Sequence, residues 1–164
     1  MVATMAQKRK PASSNSNVLN RRARFDYELG DEIVAGLALT GQEVRAAREG
    51  HVQLKGSFVS LRGGELWLNN ASFSLRLNQR GQTDARSIDT SPRKLLASKK
   101  QIATLIEKKH SGMTIVPTKL LGNGKFIKLV IALGKGKKNY DKRETLKRRD
   151  QEREANRAIK LRAS

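Results

Sequence analysis

The sequence predicts a mainly β protein, namely a small antiparallel OB-like β-barrel with one to three short helices and basic disordered N- and C-terminal tails. Three observations support this fold class. Short apolar segments of strand length recur through the middle of the chain, and glycine-containing turns separate them. Long helices alternating with strands, which are typical of a doubly wound sheet, are not indicated. The positive charge is concentrated at the two ends of the chain.

The distribution of charge divides the 164 residues into three parts. Residues 1–24 contain six Lys/Arg and no acidic residue, and residues 135–164 contain twelve Lys/Arg and five acidic residues. We therefore predict a disordered basic tail over 1–17, an OB-like barrel over 18–134 and a basic tail over 135–164. A net charge of +19 is typical of a protein that binds a polyanion.

The composition excludes several classes of protein. The chain contains no cysteine, so it has no disulfides and no thiolate metal sites. No apolar run reaches the roughly 18 residues that span a bilayer, and the N-terminus lacks the apolar core of a signal peptide. We therefore expect a cytoplasmic protein with no membrane partner.

No set of side chains suited to catalysis or cofactor binding is evident. The stretches "GNGKF" and "GKGKK" lack the spacing of a phosphate-binding loop. His51 and His110 have no second ligand at a metal-binding spacing. Asp31 and Glu32 are neighbours in a predicted strand, so their side chains face opposite sides. We expect no enzymatic activity, no cofactor and no metal site.

The first half of the barrel is predicted to consist of strands. "EIVAGLALTGQEVRAA" is too interrupted by glycine for a helix, and it predicts two short strands with a bend at Gly41. "SFVSLRGGELWLNN" predicts a hairpin whose turn is Gly63-Gly64. "ASFSLRLNQ" alternates apolar and polar residues, which predicts a half-buried strand. Residues 79–91 are predicted to form a polar loop.

The second half contains the clearest helix signal. Pro92 in "SPRKLLAS" favours a helical turn. Ser98 with Gln101 three residues later forms a capping box, so a helix is expected to begin there. "MTIVPTKLLGNGKFIKLVIALG" predicts a hairpin around residues 122–124, and Pro117 indicates an edge or a bulge in its first strand.

Both basic ends have features of RNA-binding segments. "NRRARFDY" places three arginines beside two aromatics, and guanidinium groups suit phosphates while rings stack on bases. The alternative is that Phe25 and Tyr27 are core anchors of the barrel. Residues 144–161 are rich in helix formers but lack a continuous apolar stripe, so we expect this tail to be unfolded when free and helical when a polyanion neutralises it. The alternative is a nonspecific basic tail that only accelerates association.

The motifs "NRRARFDY", "AGLALTGQEVRAAREG", "RKLL" and "GKGKKNYDKRETLKRR" occur in the order and spacing of the SsrA-binding protein family, which the chain resembles from residue 18 to about 160. The resemblance implies an OB-type barrel that binds the tRNA-like domain of transfer-messenger RNA (tmRNA, or SsrA RNA). It also implies delivery of alanyl-tmRNA, with elongation factor Tu, to stalled ribosomes in bacterial trans-translation. The tail would lie in the empty mRNA channel, near 16S rRNA at the decoding centre. We expect the protein to be a monomer.

The matching positions imply two sets of contact residues. The tmRNA-binding set is Asn20, Arg22, Arg24, Tyr27, Lys94, Leu96, Lys135, Lys137 and Lys138. The set for the decoding centre and mRNA channel is Tyr140, Asp141, Lys142, Arg143, Lys147, Arg148 and Arg149. In the second set, the ring of Tyr140 suits stacking on an rRNA base, and the cationic side chains suit phosphates.

The chain departs from the family pattern at four positions. Phe25 replaces the usual His, Val34 replaces a Glu, Ser91 replaces an Arg, and Gly134 replaces an Ala. Two other kinds of protein remain as alternatives. One is a ribosomal or rRNA-binding protein with basic extensions, and the other is an RNA-modifying enzyme, although the general base that such an enzyme requires is not apparent.

Overall fold

The computed structural model describes residues 17–77 and 85–162. The predicted N-terminal tail over 1–17 therefore lies outside the described residues except for its last residue. The elements in chain order are β1 (Val18–Leu19), α1 (Arg21–Asp26), β2 (Tyr27–Leu37), α2 (Gly41–Arg48), β3 (Val52–Gln53), β4 (Phe58–Arg62), β5 (Glu65–Asn69), β6 (Ser72–Arg76), β7 (Arg86–Asp89), β8 (Arg93–Leu96), α3 (Lys99–Lys108), β9 (Met113–Leu121), β10 (Lys128–Gly136) and α4 (Asn139–Arg162).

Six antiparallel strands close into a barrel, which confirms the predicted fold class. The hydrogen-bonded order is β9-β10-β2-β8-β5-β4, and pairing of β4 with β9 closes the ring. The short strand β1 extends the edge of β9, while β3, β6 and β7 form a separate three-stranded sheet. The barrel interior is filled by apolar side chains from both sheets, including Leu66, Leu68, Phe73, Ile115, Leu120, Leu129 and Ile131, none more than 2% exposed. Burial of this apolar surface is the main source of stability.

Two predicted hairpins are confirmed. Strands β4 and β5 pair around Gly63 and Gly64, whose φ angles of 57° and 78° are those a two-residue hairpin turn requires. Strands β9 and β10 form the second hairpin, and their register shifts between Val130, paired with Lys119, and Ile131, paired with Pro117. The bulge predicted at Pro117 therefore exists, with Thr118 as the extra residue.

Helix α3 begins as its capping box predicts. The backbone N–H of Gln101 donates to the Ser98 hydroxyl at 3.2 Å, and the Ser98 N–H donates to the Gln101 side-chain oxygen at 3.0 Å. Leu105 is buried in the core, whereas Ile106 is half exposed. The helix therefore packs through a narrow apolar stripe.

Three elements differ from the predictions. The second strand expected after Gly41 is helix α2, because Thr40 and Glu43 form a capping box that fixes a helix start. The helical turn expected at Pro92 is strand β8, which pairs with β2 and β5. The predicted loop over 79–91 lies outside the described residues from 79 to 84, and its remainder contains strand β7, which pairs with β6 from Arg86 to Asp89.

A buried arginine connects two of these unpredicted elements, α2 and β8, with strand β6. The Arg93 Nε, on β8, lies 2.8 Å from a carboxylate oxygen of Glu43 on α2, and its guanidinium lies 3.9 Å from the centre of the Phe73 ring on β6. The Arg93 side chain also donates to the carbonyl oxygens of Ala71 and Ser91. Buried charges require such complete pairing, so Arg93 fixes α2 against the barrel.

The C-terminal segment, which the sequence predicts to be unfolded when free and helical on a polyanion, is helical in the structure. Asn139–Arg162 is one helix of 24 residues with no buried residue. Its length exceeds the roughly 12–15 residues below which isolated helices are marginal, and helix formers dominate it. Asp141 in the first turn and Lys160 and Arg162 in the last turn match the helix dipole. Local interactions therefore account for most of this helix.

Candidate RNA interface

The first half of the candidate interface is built on α1, which Asn20 holds to the barrel. The Asn20 side-chain amide donates to the carbonyl oxygens of Leu54 at 3.0 Å and Pro117 at 2.8 Å, and its side-chain oxygen accepts the Ala23 N–H at 3.2 Å. Asn20 is 6% exposed. Each polar atom of the Asn20 side chain therefore has a partner inside the protein, and the expectation that Asn20 binds tmRNA stays a prediction.

The end of β10 lies beside α1 and the start of β2. Tyr27 is the partner of Gly136, and Glu28 is the partner of Lys135. The Lys137 N–H donates to the Asp26 carbonyl at 2.9 Å, and the Lys137 ammonium donates to the Arg24 carbonyl at 3.2 Å. These contacts unite six of the predicted residues in what we term the junction surface: Arg22, Arg24, Tyr27, Lys135, Lys137 and Lys138.

The two arginines of the junction surface have acidic partners that a phosphate can replace. Arg22 lies 2.9 Å from Asp26, and Arg24 lies 4.0 Å from Glu32. The Arg22 and Arg24 side chains are 56% and 70% exposed. Exposed ion pairs contribute only about 0–1 kcal/mol, so these pairs present little barrier to an incoming RNA backbone.

The ring of Phe25, a residue of α1, lies near α4. The Arg22 guanidinium carbon is 5.3 Å from the centre of the Phe25 ring, and the Arg149 guanidinium carbon is 6.0 Å from it. Phe25 is half-buried and lies outside the apolar core cluster. The Phe25 ring is therefore close to one guanidinium from α1 and one from α4. The resemblance to the SsrA-binding protein family implies a histidine at this position.

The residues predicted for the decoding centre lie on the first three turns of α4, next to the junction surface. Tyr140 is 61% exposed, and Arg143 is exposed as well. The Lys142 ammonium lies 3.3 Å from Asp26. Beyond this contact, a groove of about 730 Å³ separates α4 from the barrel, and its lining includes Lys147 and Arg148.

Lys94 and Leu96 lie on a different surface from the other predicted tmRNA-binding residues. Leu96 pairs with Gly36 near the end of β2, whereas Tyr27 at its start pairs with Gly136. Nine residues of strand separate these positions along the chain, which corresponds to about 30 Å. The predicted tmRNA-binding set is therefore divided between two ends of β2.

The second surface contains residues that the sequence analysis missed. A cavity of about 440 Å³ adjoins the β9–β10 turn. Its lining includes the side chains of Phe126, which is 68% exposed, and Leu96, which is 57% exposed. Arg48 reaches this turn and donates to the Lys125 carbonyl at 3.2 Å. We term Lys94, Leu96, Lys125, Phe126 and Lys128 the strand-end surface. The visible signal was an aromatic beside lysines in "GNGKFIK", at the tip of a predicted hairpin.

Asp31 and Glu32, at the middle of β2, form ion pairs with different cations. Lys108 donates to Asp31 at 2.8 Å, and this hydrogen bond together with the Lys108 charge lowers the pKa of Asp31. Glu32 instead lies near Arg24 and Lys119. Within residues 17–77 and 85–162, no three His, Cys, Asp or Glu side chains are grouped so that they could hold a metal ion. In the same ranges, no helix has the length and apolar character needed to cross a membrane.

Comparisons with known proteins agree with one another. A family model described as "SmpB protein" matches residues 17–161. The SsrA-binding protein of Shouchella clausii is 46% identical over 144 residues, covering 87% of this chain and 90% of that protein. The SsrA-binding protein of Mesorhizobium japonicum is 43% identical over 163 residues, covering 96% of this chain and 99% of that protein. A solved structure described as "tmRNA-SmpB: a journey to the center of the bacterial ribosome" is 36% identical with a TM-score of 0.57, covering 76% of this chain and 86% of the solved one.

Proposed function

The chain belongs to the SmpB protein family, and from that membership we propose that it binds the tRNA-like domain of tmRNA and delivers it to stalled ribosomes. The outcome is ribosome rescue and tagging of incomplete proteins by trans-translation. The protein contributes binding and positioning and catalyses no reaction itself. Alanyl-tmRNA and elongation factor Tu complete the delivery complex, in which the protein acts as a monomer in the cytoplasm.

The observation that supports a structured RNA partner is the separation of the two cationic surfaces. The junction surface and the strand-end surface lie at opposite ends of β2, about 30 Å apart along the strand. A short single strand that stacks on one ring would use only one of them. A folded RNA with its phosphates on a curved backbone can engage both at once, as recognition by shape requires.

The residues have distinct roles in this proposal. Six junction-surface residues and the pair Lys94 and Leu96 contact the tRNA-like domain, whereas Asn20 acts indirectly by positioning α1. The exposed Leu96 and Phe126 offer apolar contact to bases or sugars, and the neighbouring lysines bind phosphates.

The helix α4 extends the junction surface away from the barrel. We propose that Tyr140, Asp141, Lys142 and Arg143 meet 16S rRNA at the decoding centre, and that Lys147, Arg148 and Arg149 follow the mRNA channel. The absence of any buried residue from this helix supports such a role, since most of its side chains are exposed and can contact RNA. The same proposal assigns residues 1–17 to a basic N-terminal tail, 18–134 to the RNA-binding barrel and 135–164 to a basic C-terminal tail.

A salt titration tests the preferred RNA. Phosphate contacts make the logarithm of the binding constant fall with the logarithm of salt concentration for every RNA. We expect the tRNA-like domain of tmRNA to bind more tightly than bulk tRNA or an rRNA fragment at every salt concentration. Equal affinity for the three RNAs would favour the alternative of a ribosomal protein with basic extensions.

A further inference from the structure

Three arginines and one histidine surround one carboxylate where α2 packs on β6. Arg45 Nε lies 3.2 Å from Oε1 of Glu49. His51 Nε2, Arg86 Nη2 and Arg76 Nε lie 3.7, 3.8 and 4.0 Å from its Oε2. Arg45 belongs to α2 and Glu49 is the C-cap residue of that helix, while β6 and β7 contribute the other two arginines.

One carboxylate does not satisfy these donors. Three of its four contacts exceed the length of a hydrogen bond, so only Arg45 is hydrogen bonded to it. Nη1 of Arg86 is buried and has no hydrogen-bond partner among the described residues. Buried donors are almost always paired in folded proteins, and an exception requires an explanation. Three guanidinium groups against one carboxylate also leave an excess of positive charge, without counting His51.

The arrangement also reduces the stability of the sheet. Arg76 and Arg86 are direct cross-strand partners in the β6–β7 register, and like charges directly opposite one another destabilise a sheet. Such a local conflict is expected where a residue serves binding rather than folding.

The local potential favours an anion. Burial acts to raise the pKa of Glu49, but the hydrogen bond from Arg45 and the charges of Arg76, Arg45 and His51 outweigh it, so the pKa is held below its usual value. A second negatively charged group would be stabilised by the same cations. The adjoining cavity of about 60 Å³ is lined by Gln42, Arg45, Ala46, Glu49, Ser74 and Arg76.

We propose that this group, which we term the Glu49 cluster (Arg45, Glu49, Arg76 and Arg86), binds a phosphodiester of an RNA backbone, as a contact additional to the junction and strand-end surfaces. Guanidinium groups match phosphate oxygens in geometry, and Gln42 and Ser74 can donate further hydrogen bonds. The cavity is too small for a nucleobase, so the contact is to the backbone and independent of sequence. The inference relies on the proposed RNA-binding role but not on which RNA is bound.

The first test removes the two sheet arginines. The variant Arg76→Gln/Arg86→Gln is compared with Arg62→Gln/Lys99→Gln, which removes two exposed charges elsewhere. Binding is measured against salt concentration for the tRNA-like domain of tmRNA and for a 16S rRNA fragment. We expect the slope to decrease by about one unit more than in the control for the RNA that uses the cluster. If the arginine variant and the control variant have the same salt slope for both RNAs, the proposal is overturned.

The second test remains decisive even if the arginine variant does not fold. Glu49→Gln removes the carboxylate that competes with a phosphate, and Glu107→Gln removes an exposed carboxylate on α3. We expect Glu49→Gln to bind RNA several-fold more tightly than Glu107→Gln. Equal affinity would mean that the arginines serve only Glu49, which would reject the site. Equal binding of both RNAs by the wild-type protein would reject the tmRNA preference, yet a reduced slope in the arginine variant would still support the cluster.

Discussion

The Lys142 ammonium lies 3.3 Å from a carboxylate oxygen of Asp26, which joins the first turn of α4 to the last turn of α1. Arg22 Nε lies 2.9 Å from the other carboxylate oxygen of Asp26, so this carboxylate forms ion pairs with cations from both helices. This ion pair lies between the proposed tmRNA contacts and the proposed ribosome contacts. It therefore connects the base of α4 to α1.

Replacing Asp26 with Asn should loosen the base of α4. We expect faster amide hydrogen exchange over residues 139–146, because the ion pair to Lys142 is lost there. The free energy of unfolding should decrease by no more than about 1 kcal/mol, since both partners are partly exposed. Asp150→Asn, which removes a pair with Arg153 within α4, is the control. Identical exchange in the two variants would show that the pair does not hold the helix.

Deleting residues from Asp141 onward should separate binding from tagging. No residue of α4 is buried, so the barrel should fold without it. We expect nearly unchanged affinity for tmRNA and complete loss of tagging on stalled ribosomes, measured in a reconstituted translation reaction. Tagging by the truncated protein would show that α4 has no role in sensing the empty channel.

Replacing Lys135, Lys137 and Lys138 with Ala should weaken tmRNA binding. We expect the salt slope to decrease by up to about one unit for each lost phosphate contact. The matched control replaces three exposed lysines elsewhere, namely Lys55, Lys99 and Lys100. If both variants have the same slope, the three lysines lie outside the interface.

Gly134 provides space for the side chain of Tyr27. A Cβ at Gly134 would lie 3.0 Å from the Tyr27 Cβ and 3.2 Å from two ring carbons. Because Tyr27 Cβ is attached to the backbone of β2, Gly134→Ala should cost about 1–3 kcal/mol in the free energy of unfolding, measured by urea denaturation. Gly136→Ala on the same strand meets nothing within 4 Å and serves as the control. Equal stability of the two variants would mean that Tyr27 moves freely.

Local sequence signals predicted the elements that local chemistry determines. The Gly63-Gly64 turn and the Ser98–Gln101 capping box each depend on residues within a few positions of one another, and the structure contains both. The same kind of signal, Thr40 with Glu43, was present at α2. Gly36 and Gly41 obscured it, because glycine lowers helix propensity.

Elements that depend on distant partners were not predictable in the same way. Strand β8 follows a proline and is short, and only its pairing with β2 and β5 makes it a strand. The same pairing places Leu96 far from Tyr27, so the division of the predicted RNA-binding residues could not be known without the topology. The buried role of Asn20 likewise depends on carbonyl groups at Leu54 and Pro117, the latter 97 residues away in sequence.

Co-purification followed by RNA sequencing tests the central claim most directly. The protein is isolated from bacterial cells under conditions that keep bound RNA, and the RNA species are counted. We predict that tmRNA is the dominant species and that exchanging the junction-surface arginines Arg22 and Arg24 for Gln reduces its share. Recovery of ribosomal RNA or bulk tRNA in proportion to their cellular abundance, without enrichment of tmRNA, would contradict the proposed function.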